Sequence, residues 1–119
     1  MAMAQLETIT SDWLADRAAL HDAIAVSAHW AGSKLRIEID DEWPNLLSSE
    51  MCDRNPCGGW LVFDGAQIIH GDLSDVLNCH VNDLRLDDGK WSIYFARKSL
   101  FSKRGLLTII AENAAFERN

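Results

Sequence analysis

Gly59-Trp60-Leu61-Val62-Phe63-Asp64-Gly65-Ala66-Gln67-Ile68-Ile69-His70-Gly71 is the segment around which the other elements of this chain can be arranged. Trp60 to Phe63 is an unbroken apolar run, preceded by Gly58-Gly59 and followed by the turn signal Asp64-Gly65. A run this short between such boundaries reads as a strand buried on both faces. The expected strand covers 60–64. Ile68-Ile69 resumes the apolar character, which predicts a second short strand over 66–70.

Two hairpins flank this segment. On the N-terminal side the hydrophobic period is two from Asp22 onward. Ile24, Val26, Ala28 and Trp30 share one face, and Ala23, Ala25, Ser27 and His29 the other. Gly32-Ser33 fits a type II′ turn, with Gly at its first central position. Leu35, Ile37 and Ile39 then alternate with Lys34, Arg36, Glu38 and Asp40. A two-residue turn sets Trp30 opposite Leu35, Ala28 opposite Ile37 and Val26 opposite Ile39, so turn and pattern give one register. On the C-terminal side, Asp88-Gly89 is a type I′ signal. It sets Leu86 opposite Trp91 and Leu84 opposite Ile93, with Asp87 beside Lys90 and Arg85, Ser92 and Tyr94 on the other face.

The remaining segments are less regular. Residues 1–10 read as a loose lead-in. Ser11 fits an N-cap and Asp12 the first turn of a helix over 12–20, with Trp13, Leu14, Arg17, Ala18 and His21 at helical spacing. Residues 40–59 break the strand pattern; Pro44 could open a short helix there. Residues 71–80 are polar and without a clear period. Arg97, Lys98, Lys103 and Arg104 form a basic connector, Leu106 to Ala111 a final strand, and Phe116 a residue placed to close the core. The expectation is a single domain, 1–119, of mainly β (α+β) class. It is hairpin-rich, with an antiparallel sheet of six to seven strands and a short N-terminal helix.

Composition narrows the function classes. The chain has 119 residues, enough for one core. Net charge is −7, with 16 acidic against 6 basic side chains over 1–96 and 2 against 5 over 97–119. An acidic body argues against nucleic-acid binding, which needs a basic footprint, and favours a basic partner. No basic n-region or apolar h-region opens the chain, and no stretch has the length of a membrane span. With the unpaired count of Cys52, Cys57 and Cys79, this predicts reduced thiols and a cytoplasmic protein.

Leu20-His21-Asp22-Ala23, the alternation up to Trp30, Leu35-Arg36-Ile37-Glu38-Ile39 and the later Leu61-Val62-Phe63-Asp64-Gly65 resemble a group of small bacterial β-rich proteins, some classed as immunity proteins of the "immunity protein 50" type. The resemblance covers residues 20–112. It implies a non-enzymatic, toxin-neutralising binder, or a domain of uncharacterised role.

Several constellations bear on chemistry. Cys52, Cys57, His70, Cys79 and His80 are ligand types for zinc, but only Cys52-x4-Cys57 approaches a zinc spacing and no second close pair follows. Cys57 beside a Gly pair is a conceivable nucleophile, which would need a base within hydrogen-bond reach. These residues define the alternative reading, a small metal-binding domain or enzyme; the commoner role of such thiols is structural. His21-Asp22 reads as a helix end and His70-Gly71-Asp72 as turn chemistry. Asp40-Asp41-Glu42 lacks the spacing and glycine of a calcium loop. The basic connector at 97–104 reads as a solvated loop. The preferred reading is therefore a protein-binding domain without catalysis, metal or cofactor, for which a homodimer is also compatible. Its recognition surface is expected on the long connection 41–58. That connection holds Asp41, Glu42, Glu50 and Asp53, and with them Trp43, an aromatic of the kind enriched at binding hot spots.

Overall fold

In the computed structural model, which describes residues 6–16, 23–41, 57–96 and 105–118, the apolar run at 60–63 lies in β4 (Cys57–Asp64). This strand is the middle one of a five-stranded sheet ordered β1-β9-β4-β3-β2. The other members are β1 (Leu6–Thr8), β2 (Ile24–Ala31), β3 (Lys34–Asp41) and β9 (Asn113–Arg118). A four-stranded sheet, ordered β5-β8-β7-β6, contains β5 (Gln67–His70), β6 (Val81–Asp87), β7 (Lys90–Phe95) and β8 (Gly105–Ile110). Every pairing is antiparallel. Two short helices, α1 (Ser11–Asp16) and α2 (Leu73–Val76), complete the described elements.

The inner faces of the two sheets meet in one core. Leu35, Ile37 and Ile39 of β3, Leu61 and Phe63 of β4 and Phe116 of β9 come from the larger sheet; Val81, Ile93, Phe95, Leu107 and Ile109 come from the smaller, and all are fully buried. Trp91 meets Phe63 edge to face with ring centroids 5.8 Å apart, and Trp13 of α1 packs on Phe116 at 5.6 Å. Aromatic pairs of this geometry add to area burial. α1 starts one residue earlier than Ser11 as a cap implies. The Thr10 hydroxyl accepts the Trp13 amide at 3.1 Å, so Thr10 is the N-cap. The expected residues 17–20 of that helix lie outside the described residues.

The sheets are joined along both sides. β4 runs into β5 and β8 into β9, each crossing from one sheet to the other, and the two ribbons stay bonded at the corner through Glu112 N–H to the Asp64 carbonyl at 2.8 Å. Gly65, at φ 60°, makes the bend. On the opposite side β2 meets the start of β6. Val81 N–H donates to Ala23 O at 2.7 Å, Asn78 N–H to Ala25 O at 2.6 Å, and Ala25 N–H to Cys79 O at 3.3 Å. The result is two antiparallel sheets packed over one core, joined at the corner and at the seam.

Both hairpin turns are as the sequence implies. Asp88 and Gly89 have φ 48° and 75°, the two positive values of a type I′ turn, and Leu86↔Trp91, Leu84↔Ile93 and Asp87↔Lys90 are paired. At Gly32-Ser33 only Gly32 has positive φ, which fits type II′, and Trp30↔Leu35 and Ala28↔Ile37 are paired. Val26 does not oppose Ile39. A β-bulge between Ala25 and Ser27 makes Ala25 its partner, so Ala23 and Ala25 enter the core and Val26 turns outward. The bulge lies next to the seam with β6, where β2 must bend to reach both sheets.

Four further expectations are corrected. The strand count is nine among the described residues rather than six to seven, because β1 falls in the expected lead-in and β9 follows the expected final strand. β4 begins at Cys57, so Gly58 and Gly59 belong to the strand, and a Cβ at either would collide with the backbone of β3 or β9. The last strand of the smaller sheet is 105–110. The stretch 71–80 contains α2, capped by Asp72, whose carboxylate accepts from the Ser74 amide at 3.0 Å and hydroxyl at 2.9 Å. Those bonds hold its carboxyl below the usual carboxylate range, and Gly71 at φ 91° starts the turn, as His70-Gly71-Asp72 suggested.

Candidate functional site

The register of β9, β4, β3 and β2 aligns a second set of side chains on the outer face of the larger sheet. One row runs Glu117, Trp60, Glu38, Ser27, and the next Ala115, Val62, Arg36, His29. Trp60 is half-buried at the centre of this face. The Arg36 guanidinium lies over its ring at 4.5 Å, and the His29 ring sits 5.7 Å away. Arg36 is also bonded to Glu117 at 3.1 Å, and the Ser27 hydroxyl donates to Glu38 at 3.0 Å. Lys34 pairs with Asp64 at 3.6 Å nearer the turn. With Asp40 included, this face carries four carboxylates against Arg36 and Lys34. It presents an aromatic centre whose adjacent cation is already paired, inside a net negative surround.

β3 and β4 end together at this face. Asp41 pairs with Cys57, so the connection between them leaves and returns at adjacent strand ends. The connection is shorter than 41–58, because Asp41, Cys57 and Gly58 are strand residues. Glu42, Trp43, Glu50 and Asp53 lie outside the described residues. At the root of the connection, one carboxylate oxygen of Asp40, Oδ1, is buried and has no hydrogen-bond donor among the described residues. A buried acceptor of that kind is costly and uncommon.

The candidate ligands Cys79, His70 and His80 lie at separate places in the fold. Cys79 is buried in the core, its Sγ 3.8 Å from the carbonyl oxygens of Asp75 and Leu77. His70 lies at the end of β5 and His80 at the seam beside β2, and both side chains are exposed. Among the described residues, no three His, Cys, Asp or Glu side chains gather where they could hold a metal ion. Cys52, His21, Asp22 and the connector 97–104 lie outside the described residues. A shallow groove of about 500 Å³ runs between α1 and β6, lined mainly by Leu14, Ala15, Leu84 and Leu86. Ser11, Arg85 and Asp87 complete its otherwise apolar lining.

Trp60 lies in a run that reads from the sequence as covered on both faces, yet it is half-buried on the outer face beside His29, Arg36 and Glu38. The signal was nonetheless present: once β4 is set beside β3, the polar alternation of β3 brings Arg36 and Glu38 against Trp60. Among the described residues, no helix is long and apolar enough to cross a membrane. No family model matches the chain, and neither a curated protein nor a solved structure is significantly similar to it.

Proposed function

We propose that this chain is a protein-binding domain without catalysis, and that it recognises a basic protein through the connection 42–56 and the adjoining outer face of the larger sheet. The observation that carries the reading is the rooting of the connection: its two ends leave paired positions on β3 and β4, the strands that also carry Arg36, Glu38 and Trp60. Loops held on a rigid sheet are the usual place for recognition. The connection contributes Glu42, Glu50 and Asp53 against Arg54, and Trp43 as an aromatic anchor. Asp41 anchors its start. The likeness of the first hairpin and of Leu61-Val62-Phe63-Asp64-Gly65 to immunity-type proteins favours a toxin-neutralising form of this role, in a bacterial cytoplasm.

The test is affinity capture from the source organism, followed by kinetics on the purified pair. Trp43→Ala is expected to abolish binding while leaving the melting temperature unchanged. Lysine at Glu42, Glu50 and Asp53 is expected to slow association, as is high salt, because such charges act mainly on the encounter rate. A Trp43→Ala protein that binds normally, or one that loses binding only by melting, removes the connection from the recognition surface.

A further inference from the structure

Each sheet edge is an open row of backbone donors and acceptors, and proteins ordinarily blunt such edges. Three of the four edges here are blunted. β1 has three residues. β5 has four and is irregular between Ile68 and His70. β6 carries Asp83, Arg85 and Asp87 and is bulged between Val81 and Asp83, and the Asp83 carboxylate accepts the Leu84 amide at 2.9 Å. β2 is different. It has eight residues, Ile-Ala-Val-Ser-Ala-His-Trp-Ala, with no acidic side chain, lysine, arginine, proline or glycine. Its first half is covered, since Ala23 and Ala25 bond to residues 78–81. Among the described residues, nothing pairs with the outer edge of its second half, Ser27 to Ala31. Trp30 is 46% exposed there and Val26 39%.

We infer that two copies of this chain associate along β2, edge to edge and antiparallel, joining two five-stranded sheets into one. The occupant is a second copy because the edge is self-complementary and neutral in a chain of net charge −7, so pairing places no like charges on facing positions. The turn sets the register. In a two-residue hairpin Ala31 and Lys34 exchange both backbone bonds, and strand alternation then directs the N–H and C=O groups of Trp30 and Ala28 away from β3. A two-fold axis at His29 sets Trp30 opposite Ala28 of the second copy, and Ala28 opposite its Trp30. Each exposed indole then covers a small side chain, and four backbone bonds close. His29 faces His29 of the second copy as a pair without mutual backbone bonds, the kind whose side chains approach most closely. The axis lies near the Gly32-Ser33 turn, while β3 and β4 reach Asp41 and Cys57 at the other end of the ladder, so the dimer would present two copies of that end.

Sedimentation velocity on the full chain over a wide concentration range tests association, and a thiol cross-link tests the register. The wild type is expected to show a concentration-dependent dimer. Trp30→Lys, which sets a charge on the edge at an already exposed position, is expected to be monomeric with an unchanged far-UV spectrum. His29→Cys in a Cys52→Ser/Cys57→Ser background is expected to form a disulfide-linked dimer under mild oxidation, while Lys34→Cys in the same background stays monomeric. A wild type monomeric at every concentration overturns the inference. So does a dimer that Trp30→Lys leaves intact, or a His29→Cys protein that cross-links no faster than Lys34→Cys.

Discussion

Gly89 stands at φ 75° between β6 and β7, with no neighbour within 4 Å of where a Cβ would project. Its requirement is therefore one of backbone conformation alone. Gly89→Val forces a β-branched residue to positive φ and is expected to cost about 1–3 kcal/mol, read as a lower urea midpoint with an unchanged slope. An unchanged midpoint would mean that the turn does not hold this conformation in solution. Asp40 is a different residue-scale case. Its Oδ1, which has no donor among the described residues, sits where the chain leaves β3, in a position to gain from any donor that a bound partner brings.

At the scale of elements, β9 shows how neighbours override local preference. Asn-Ala-Ala-Phe-Glu-Arg has little strand character, yet β1 and β4 bond to it on both sides. Phe116 is the reason it stays there: fully buried, it packs against Trp13 and faces Leu61 across the ladder. Phe116→Ala should cost about 3–5 kcal/mol and should unsettle α1 as well, seen as a change in Trp13 fluorescence. A loss below about 1 kcal/mol would place Phe116 outside the folding core, since even deletion of a single buried methylene is felt at roughly that level.

At the scale of the molecule, the corner at Asp64 and Glu112 and the β2–β6 seam make the sheets one mechanical unit. Neither sheet has a core of its own, because each covers the other's inner face. Unfolding is expected to be a single transition, as in most small domains. Near-UV and far-UV circular dichroism, together with Trp fluorescence, should give coincident urea curves. Separated curves would show that the sheets come apart independently and that the seam bonds at Ala23 and Ala25 contribute little.

The sequence by itself determined the parts whose chemistry is local. Asp88-Gly89 and Gly32-Ser33 specify their turns through positive φ, and the period-two patterns beside them set five cross-strand pairs that the structure retains in register. The apolar run Trp60–Phe63 marked the middle strand, in which Leu61, Val62 and Phe63 are buried and Trp60 is half-buried on the outer face. Only the tertiary structure decided what depends on partners distant in sequence. It recruited Leu6–Thr8 and Asn113–Arg118 as strands, since their ladder bonds come from each other and from β4. It placed the bulge at Val26, since β2 must serve β3 on one edge and residues 78–81 on the other. The Trp60 face was legible for the same reason only after folding: a side-chain row across four strands exists once hydrogen-bonded register fixes which residues stand side by side, and no window along the chain contains that information.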